Sequence, residues 1–162
     1  KLKNSGMNQS KSYPKVLSIA GSDSSGGAGI QADLKTFLAL GVYGATAITA
    51  ITAQNTQGVN SQFALEPQMV YDQIAAVMDD IEPSVVKIGM LSNTAIVEAV
   101  AKALHDYRPS FIVLDPVIVS STGHRLLSIE AQETIKEKLI PIADLLTPNI
   151  PEMKALTDSP HT

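Results

Sequence analysis

Apolar positions along the chain follow two alternating rhythms. Short apolar runs predict five strands, at Val16-Leu17-Ser18-Ile19, Ala45 to Thr52, Val85 to Ile88, Phe111-Ile112-Val113-Leu114 and Asp144-Leu145-Leu146. Between them apolar residues recur at helical spacing. Ile30, Leu34, Phe37 and Leu38 form one stripe of a helix over Gly27 to Leu40, which Gly41 closes. Val70, Ile74, Val77, Met78 and Ile81 follow the helix start Glu66-Pro67. Ile96, Val100, Leu104 and Tyr107 follow Asn93, a good N-cap. A further helix carries Leu127, Ala131, Ile135 and Leu139. The second run lacks strict polar alternation, the mark of a strand covered on both faces. Strands and helices that alternate through short connections predict βαβ units, hence an α/β protein with a mainly parallel sheet.

Composition narrows the function classes. A chain of 162 residues with 44% hydrophobic and 17% charged residues is a single globular domain with a sizeable core. Its first 14 residues are expected to be a leader outside the fold, and the domain is expected to run from 15 to 162. A net charge of −4 gives no electrostatic footprint for nucleic acid. Cysteine is absent, which removes disulfides and thiolate metal sites and agrees with a cytoplasmic location. His105, His124 and His161 are scattered without metal-ligand spacing. No apolar run reaches the roughly 18 residues of a membrane span.

The chemistry starts at Ala20-Gly21-Ser22-Asp23-Ser24-Ser25-Gly26-Gly27-Ala28-Gly29, a glycine-rich turn between the first strand and the first helix. Such turns bring backbone N–H groups close to a ligand, although they also serve as plain connections. Gly21 to Gly26 has the gap of a triphosphate loop, but no Lys follows. Gly27-Ala28-Gly29-Ile30-Gln31-Ala32 fits a dinucleotide fingerprint formally. The second strand, however, ends in Thr52-Ala53-Gln54-Asn55 without the ribose-binding carboxylate that fingerprint needs. Asp23 in the turn would repel phosphate and favour the hydroxyl or amine of an uncharged or cationic substrate.

Open parallel sheets bind ligands beyond the carboxyl ends of their strands. Those ends carry Asp23, Gln54 and Asn55, Met90, Asp115 and Asn149. Amide, carboxylate and thioether groups together suit a flat heterocycle with hydrogen-bonding edges, while loops are polar in any case. Asn149-Ile150-Pro151-Glu152 has the spacing of a helix cap, and Glu152 could equally hold Mg²⁺ through water. The two readings are compatible.

Five segments, 20–35, Ala-Gln-Asn-Thr (53–56), Lys-Ile-Gly-Met-Leu (87–91), Leu-Asp-Pro-Val (114–117) and Thr-Pro-Asn-Ile-Pro-Glu (147–152), resemble the hydroxymethylpyrimidine/phosphomethylpyrimidine kinases of thiamine biosynthesis. The match runs in order from about Lys15 to the end of the chain. It implies a three-layer αβα fold of the ribokinase-like superfamily. It also implies phosphorylation of 4-amino-5-hydroxymethyl-2-methylpyrimidine and then its monophosphate, with ATP as co-substrate and Mg²⁺. By resemblance Gly21, Asp23 and Gln54 hold the pyrimidine, Met90 and Val117 pack on its ring, and Asn149, Glu152 and Asp115 serve the magnesium–phosphate end. The family's anion hole and catalytic base are expected beyond Thr162, so this chain alone is expected to be nearly inactive. Pyridoxal kinase and a non-catalytic pyrimidine-binding module are the alternatives, and the family is often a homodimer. The loop from Pro116 to Arg125 departs from the family pattern around Ser121 and His124.

Overall fold

The computed structural model describes residues 13–118 and 127–157. The Ser121–His124 part of the divergent loop, His161 and the start of the expected leader lie outside the described residues. The chain order is β1 (Lys15–Asp23), α1 (Gly29–Ala39), β2 (Tyr43–Asn55), β3 (Gly58–Ala64), α2 (Pro67–Asp80), β4 (Val85–Ile88), α3 (Thr94–Tyr107), β5 (Phe111–Leu114), α4 (Ile129–Lys138), β6 (Leu145–Leu146) and α5 (Ile150–Thr157). One sheet runs in the order β3-β2-β1-β4-β5-β6. Every pairing is parallel except that of β2 with β3.

Register explains the layers. Leu17 pairs with Val86 and Ile19 with Ile88, while Ser18, between them, pairs with Lys87. Side chains alternate across a strand, so these two sets face opposite ways. Leu17, Ile19, Val86 and Ile88 join the buried core with Val70 and Ile74 of α2, Val97 and Val100 of α3, and Ile135 of α4. Ser18 and Lys87 reach Asp33 of α1 instead. Helix α1 therefore covers one face and α2 to α4 the other, which is the αβα arrangement. Three of the helix starts follow local chemistry. Pro67 opens α2, and the side chains of Asn93 and Ser128 accept the N–H of Ile96 and Ala131 at the starts of α3 and α4.

The structure differs from the pattern at four points. It has a sixth strand, β3, an edge strand without one fully buried side chain, so no apolar alternation announced it. Helix α1 begins at Gly29 rather than Gly27, because Asp23 draws Gly27 and Ala28 into the turn. Of the predicted α1 stripe only Ile30 is fully buried, while Leu38 is 80% exposed. Leu127, assigned to the fourth helix, is buried just ahead of it.

Candidate functional site

The glycine-rich turn is organised around one carboxylate. Asp23 is 3% exposed at the end of β1. Its Oδ1 accepts the Ser25 N–H and hydroxyl, both at 2.8 Å, and its Oδ2 accepts the N–H groups of Gly27 at 2.9 Å and Ala28 at 2.8 Å. Burial penalises this charge, yet the bonds from Ser25, Ala28 and Gly27 outweigh it and hold the carboxyl below its ordinary range. The amides that an anionic ligand would use at such a turn are thus occupied by the chain's own carboxylate. Asp23 fixes the shape of the turn.

Gln31 braces the same turn from α1. Its Oε1 accepts the Asp23 N–H at 2.8 Å, and its Nε2 donates to Ser22 Oγ at 2.8 Å. Gly29, at φ +57°, stands so close to Gly21 that a Cβ there would collide with the Gly21 carbonyl oxygen. From β2, the Thr52 hydroxyl donates to the Ser22 carbonyl at 2.8 Å, and Ser24 Oγ bonds both backbone groups of Gln54. The β1–β2 register shifts between Ala20 and Ser22, and the β2–β3 register between Ala53 and Gln54. Such irregularities re-aim side chains at the end of a sheet.

These elements enclose a cavity of about 340 Å³ at the carboxyl ends of the strands. Gly21, Asp23, Gln54, Met90, Asp115 and Val117, all read from the sequence as site residues, line it. The Met90 methyl occupies the space that a side chain at Gly21 would need, and the buried Thr49 hydroxyl holds the Met90 carbonyl at 2.6 Å. Val117 is set by a tight turn in which its N–H donates to the Asp115 carbonyl at 2.8 Å.

Asn55, Asn149 and Glu152 are not on the cavity wall. Asn55 Oδ1 accepts the Gln57 and Gly58 N–H groups and shapes the β2–β3 turn. Asn149 and Glu152 form a reciprocal cap at α5: the Asn149 N–H donates to Glu152 Oε2 and the Glu152 N–H to Asn149 Oδ1, both at 2.9 Å. Glu152 still acts on the site. Burial raises the Asp115 carboxyl above its ordinary value; Lys87 opposes that shift, and the Glu152 charge adds to it.

Two charged residues on the wall went unassigned in the sequence reading. Lys87 Nζ lies 3.1 Å from Asp33 Oδ2 and 3.7 Å from Asp115 Oδ2, and the Ser18 hydroxyl donates to Asp33 Oδ2 at 2.6 Å. Asp33 stands on α1, Lys87 on β4 and Asp115 beyond β5, so no local spacing could bring them together. Both were visible only as members of motif segments. Among the described residues, no group of three or more His, Cys, Asp and Glu side chains forms a ready metal cage.

A three-layer sandwich on a mainly parallel sheet, with a heterocycle-sized cavity at the strand ends, defines an α/β small-molecule-binding fold. The family model for phosphomethylpyrimidine kinase matches residues 23–162, and the chain belongs to that family. It is 52% identical over 146 residues to the hydroxymethylpyrimidine/phosphomethylpyrimidine kinase of Escherichia coli, covering 90% of this chain and 55% of that protein. It is 49% identical to the Bacillus subtilis enzyme of the same name, covering 88% and 53%. The crystal structure of phosphomethylpyrimidine kinase from Clostridium difficile superposes with a TM-score of 0.84 at 52% identity, covering 90% of this chain and 63% of that one. The pyridoxal kinase of Staphylococcus aureus in complex with pyridoxal superposes with a TM-score of 0.81 at 33% identity, covering 91% and 54%. The chain spans about half the length of the curated relatives it matches.

Proposed function

We propose that this chain forms the pyrimidine-binding part of a kinase that uses ATP to phosphorylate 4-amino-5-hydroxymethyl-2-methylpyrimidine and then its monophosphate. The observation that carries this reading is the convergence of Gly21, Gln54, Met90 and Val117 from four separate segments onto one cavity. Met90 and Val117 offer apolar contact to a flat ring. The Gln54 carboxamide offers a donor and an acceptor to its nitrogen edge. The acidic wall, with Asp33 and Asp115, suits the hydroxymethyl and amino groups of a neutral ring. Asp23, saturated by its own turn, supports this pocket by shaping it rather than by gripping the ligand.

Magnesium belongs to the same reading, and the donor set fits it. Asp115 and Glu152 are hard oxygen donors whose charges oppose each other, and magnesium needs only one or two carboxylates because it keeps several waters. Asp115 and Glu152, with Asn149 fixing the latter, would hold it. When bound, the ion neutralises charge on phosphate oxygens. A cytoplasmic location rests on composition, and a homodimer, checked by light scattering, is the assembly proposed.

Pyridoxal is the second reading, carried by the likeness to pyridoxal kinase structures. Identity of 33% to the Staphylococcus aureus structure, against 52% to the pyrimidine kinases, favours the pyrimidine. Calorimetric titration of the folded chain with the hydroxymethylpyrimidine and with pyridoxal decides between them. One-to-one binding of the pyrimidine, with weaker pyridoxal binding, is expected. Binding of neither by a folded sample would overturn the reading.

A further inference from the structure

Lys87 is the one cation on the described wall of the cavity. Its ammonium makes a hydrogen-bonded ion pair with Asp33 Oδ2 at 3.1 Å. Asp115 Oδ2, at 3.7 Å, lies beyond hydrogen-bond length. An ammonium carries three donors, and its side chain retains 22% exposure, so Lys87 has donor capacity to offer a ligand.

The proposed function places an unusual demand on this cavity. The same walls must receive a neutral hydroxymethyl ring and the corresponding phosphate monoester, which is anionic. Asp33 and Asp115 oppose an anion. The turn amides of Ser25, Gly27 and Ala28, the obvious anion receptors at the start of α1, are already bonded to Asp23. An anionic ligand therefore needs a cation in the wall, and the described wall holds one.

We propose that Lys87 is the residue that admits the phosphomethyl form: it stays on Asp33 and Asp115 beside the neutral ligand and donates to a phosphate oxygen of the monoester. This rests on the pyrimidine reading above. A compact charge on a flexible four-carbon stem suits such a change of partner, because it can swing between acceptors without a fixed fork geometry. Lys87 is then a specificity-determining residue for the second substrate and dispensable for the first.

The test is calorimetric titration of the whole chain and its Lys87→Met variant with the hydroxymethylpyrimidine and with its monophosphate. Loss of a charge-assisted hydrogen bond predicts monophosphate affinity roughly 10- to 100-fold weaker in the variant, with hydroxymethylpyrimidine affinity within about twofold of the parent. Equal loss for both ligands, or no loss for either, overturns the proposal. So does a parent chain that binds the hydroxymethyl form but not the monophosphate, which leaves the pyrimidine reading standing. A folded parent that binds neither ligand overturns that reading and the proposal with it. Lys87→Gln, which keeps a neutral donor at this position, replaces the methionine variant if circular dichroism shows the latter unfolded, and the same ratios decide.

Discussion

Substituting Gly29 by alanine tests the geometry on which the whole site depends. Gly29 sits at φ +57°, where an L-residue loses about 1–2 kcal/mol. The added methyl would also strike the Gly21 carbonyl oxygen and lie 3.2 Å from Gly21 C and 3.3 Å from Asp23 N. All three are backbone atoms at the end of β1, where Ser22 and Asp23 pair with β2, so they cannot swing away as a side-chain end would. Forcing a methyl into a packed site costs a further 1–3 kcal/mol or so, giving a total of about 2–5 kcal/mol. Gly41→Ala supplies the control, since Gly41 has φ +70° but nothing within 4 Å of its added methyl. It bears the strain and escapes the collision. Urea denaturation of both variants, with equal m values, should show Gly29→Ala less stable than Gly41→Ala by about 1–3 kcal/mol. Equal midpoints for the two would refute the close approach of the α1 start to the end of β1.

Two further outcomes follow from charges in the structure. The folded Asp23 carboxyl lies below its ordinary value of 3.8, so it adds stability that is complete above that value and is lost as pH falls through the folded one. Asp23→Asn should flatten the acid limb of a stability-versus-pH curve below about pH 4, and an unchanged limb would show that the turn does not depend on the charge. On the α2–α3 surface, Asp106 is held at about 2, first by a hydrogen bond from Lys102 at 2.7 Å and then by one from Tyr71 at 2.9 Å. Carboxylate NMR titration should move its midpoint upward in Lys102→Met, and a fixed midpoint would mean that the cluster does not form in solution.

The candidate site was partly legible because its parts are local. Gly21, Gln54, Met90, Asp115 and Val117 each stand just past a run of apolar residues, and a parallel sheet delivers all such positions to one edge. The Asn149–Glu152 cap was legible for the same reason, being set by a spacing of three. The sixth strand was not, because a strand without one fully buried side chain carries no hydrophobic rhythm. Nor was the α1 stripe: helical spacing identifies a helix but does not say how much of it meets the sheet, and Leu38 faces water.

What the sequence determined by itself was therefore the kind and order of the strands and helices other than β3, and the residues presented at the strand ends. Those follow from periods of 2 and 3.6 residues and from caps and turns within a few positions of each other. What only the tertiary structure decided was how the charges are spent. Asp23, on the cavity wall, turned onto Ser25, Gly27 and Ala28 and so frames the glycine-rich turn. Lys87 and Asp33, 54 residues apart, met across β4 and α1 with Asp115 close by. Packing sets such distances, and electrostatic interactions depend on distance and burial rather than on sequence separation.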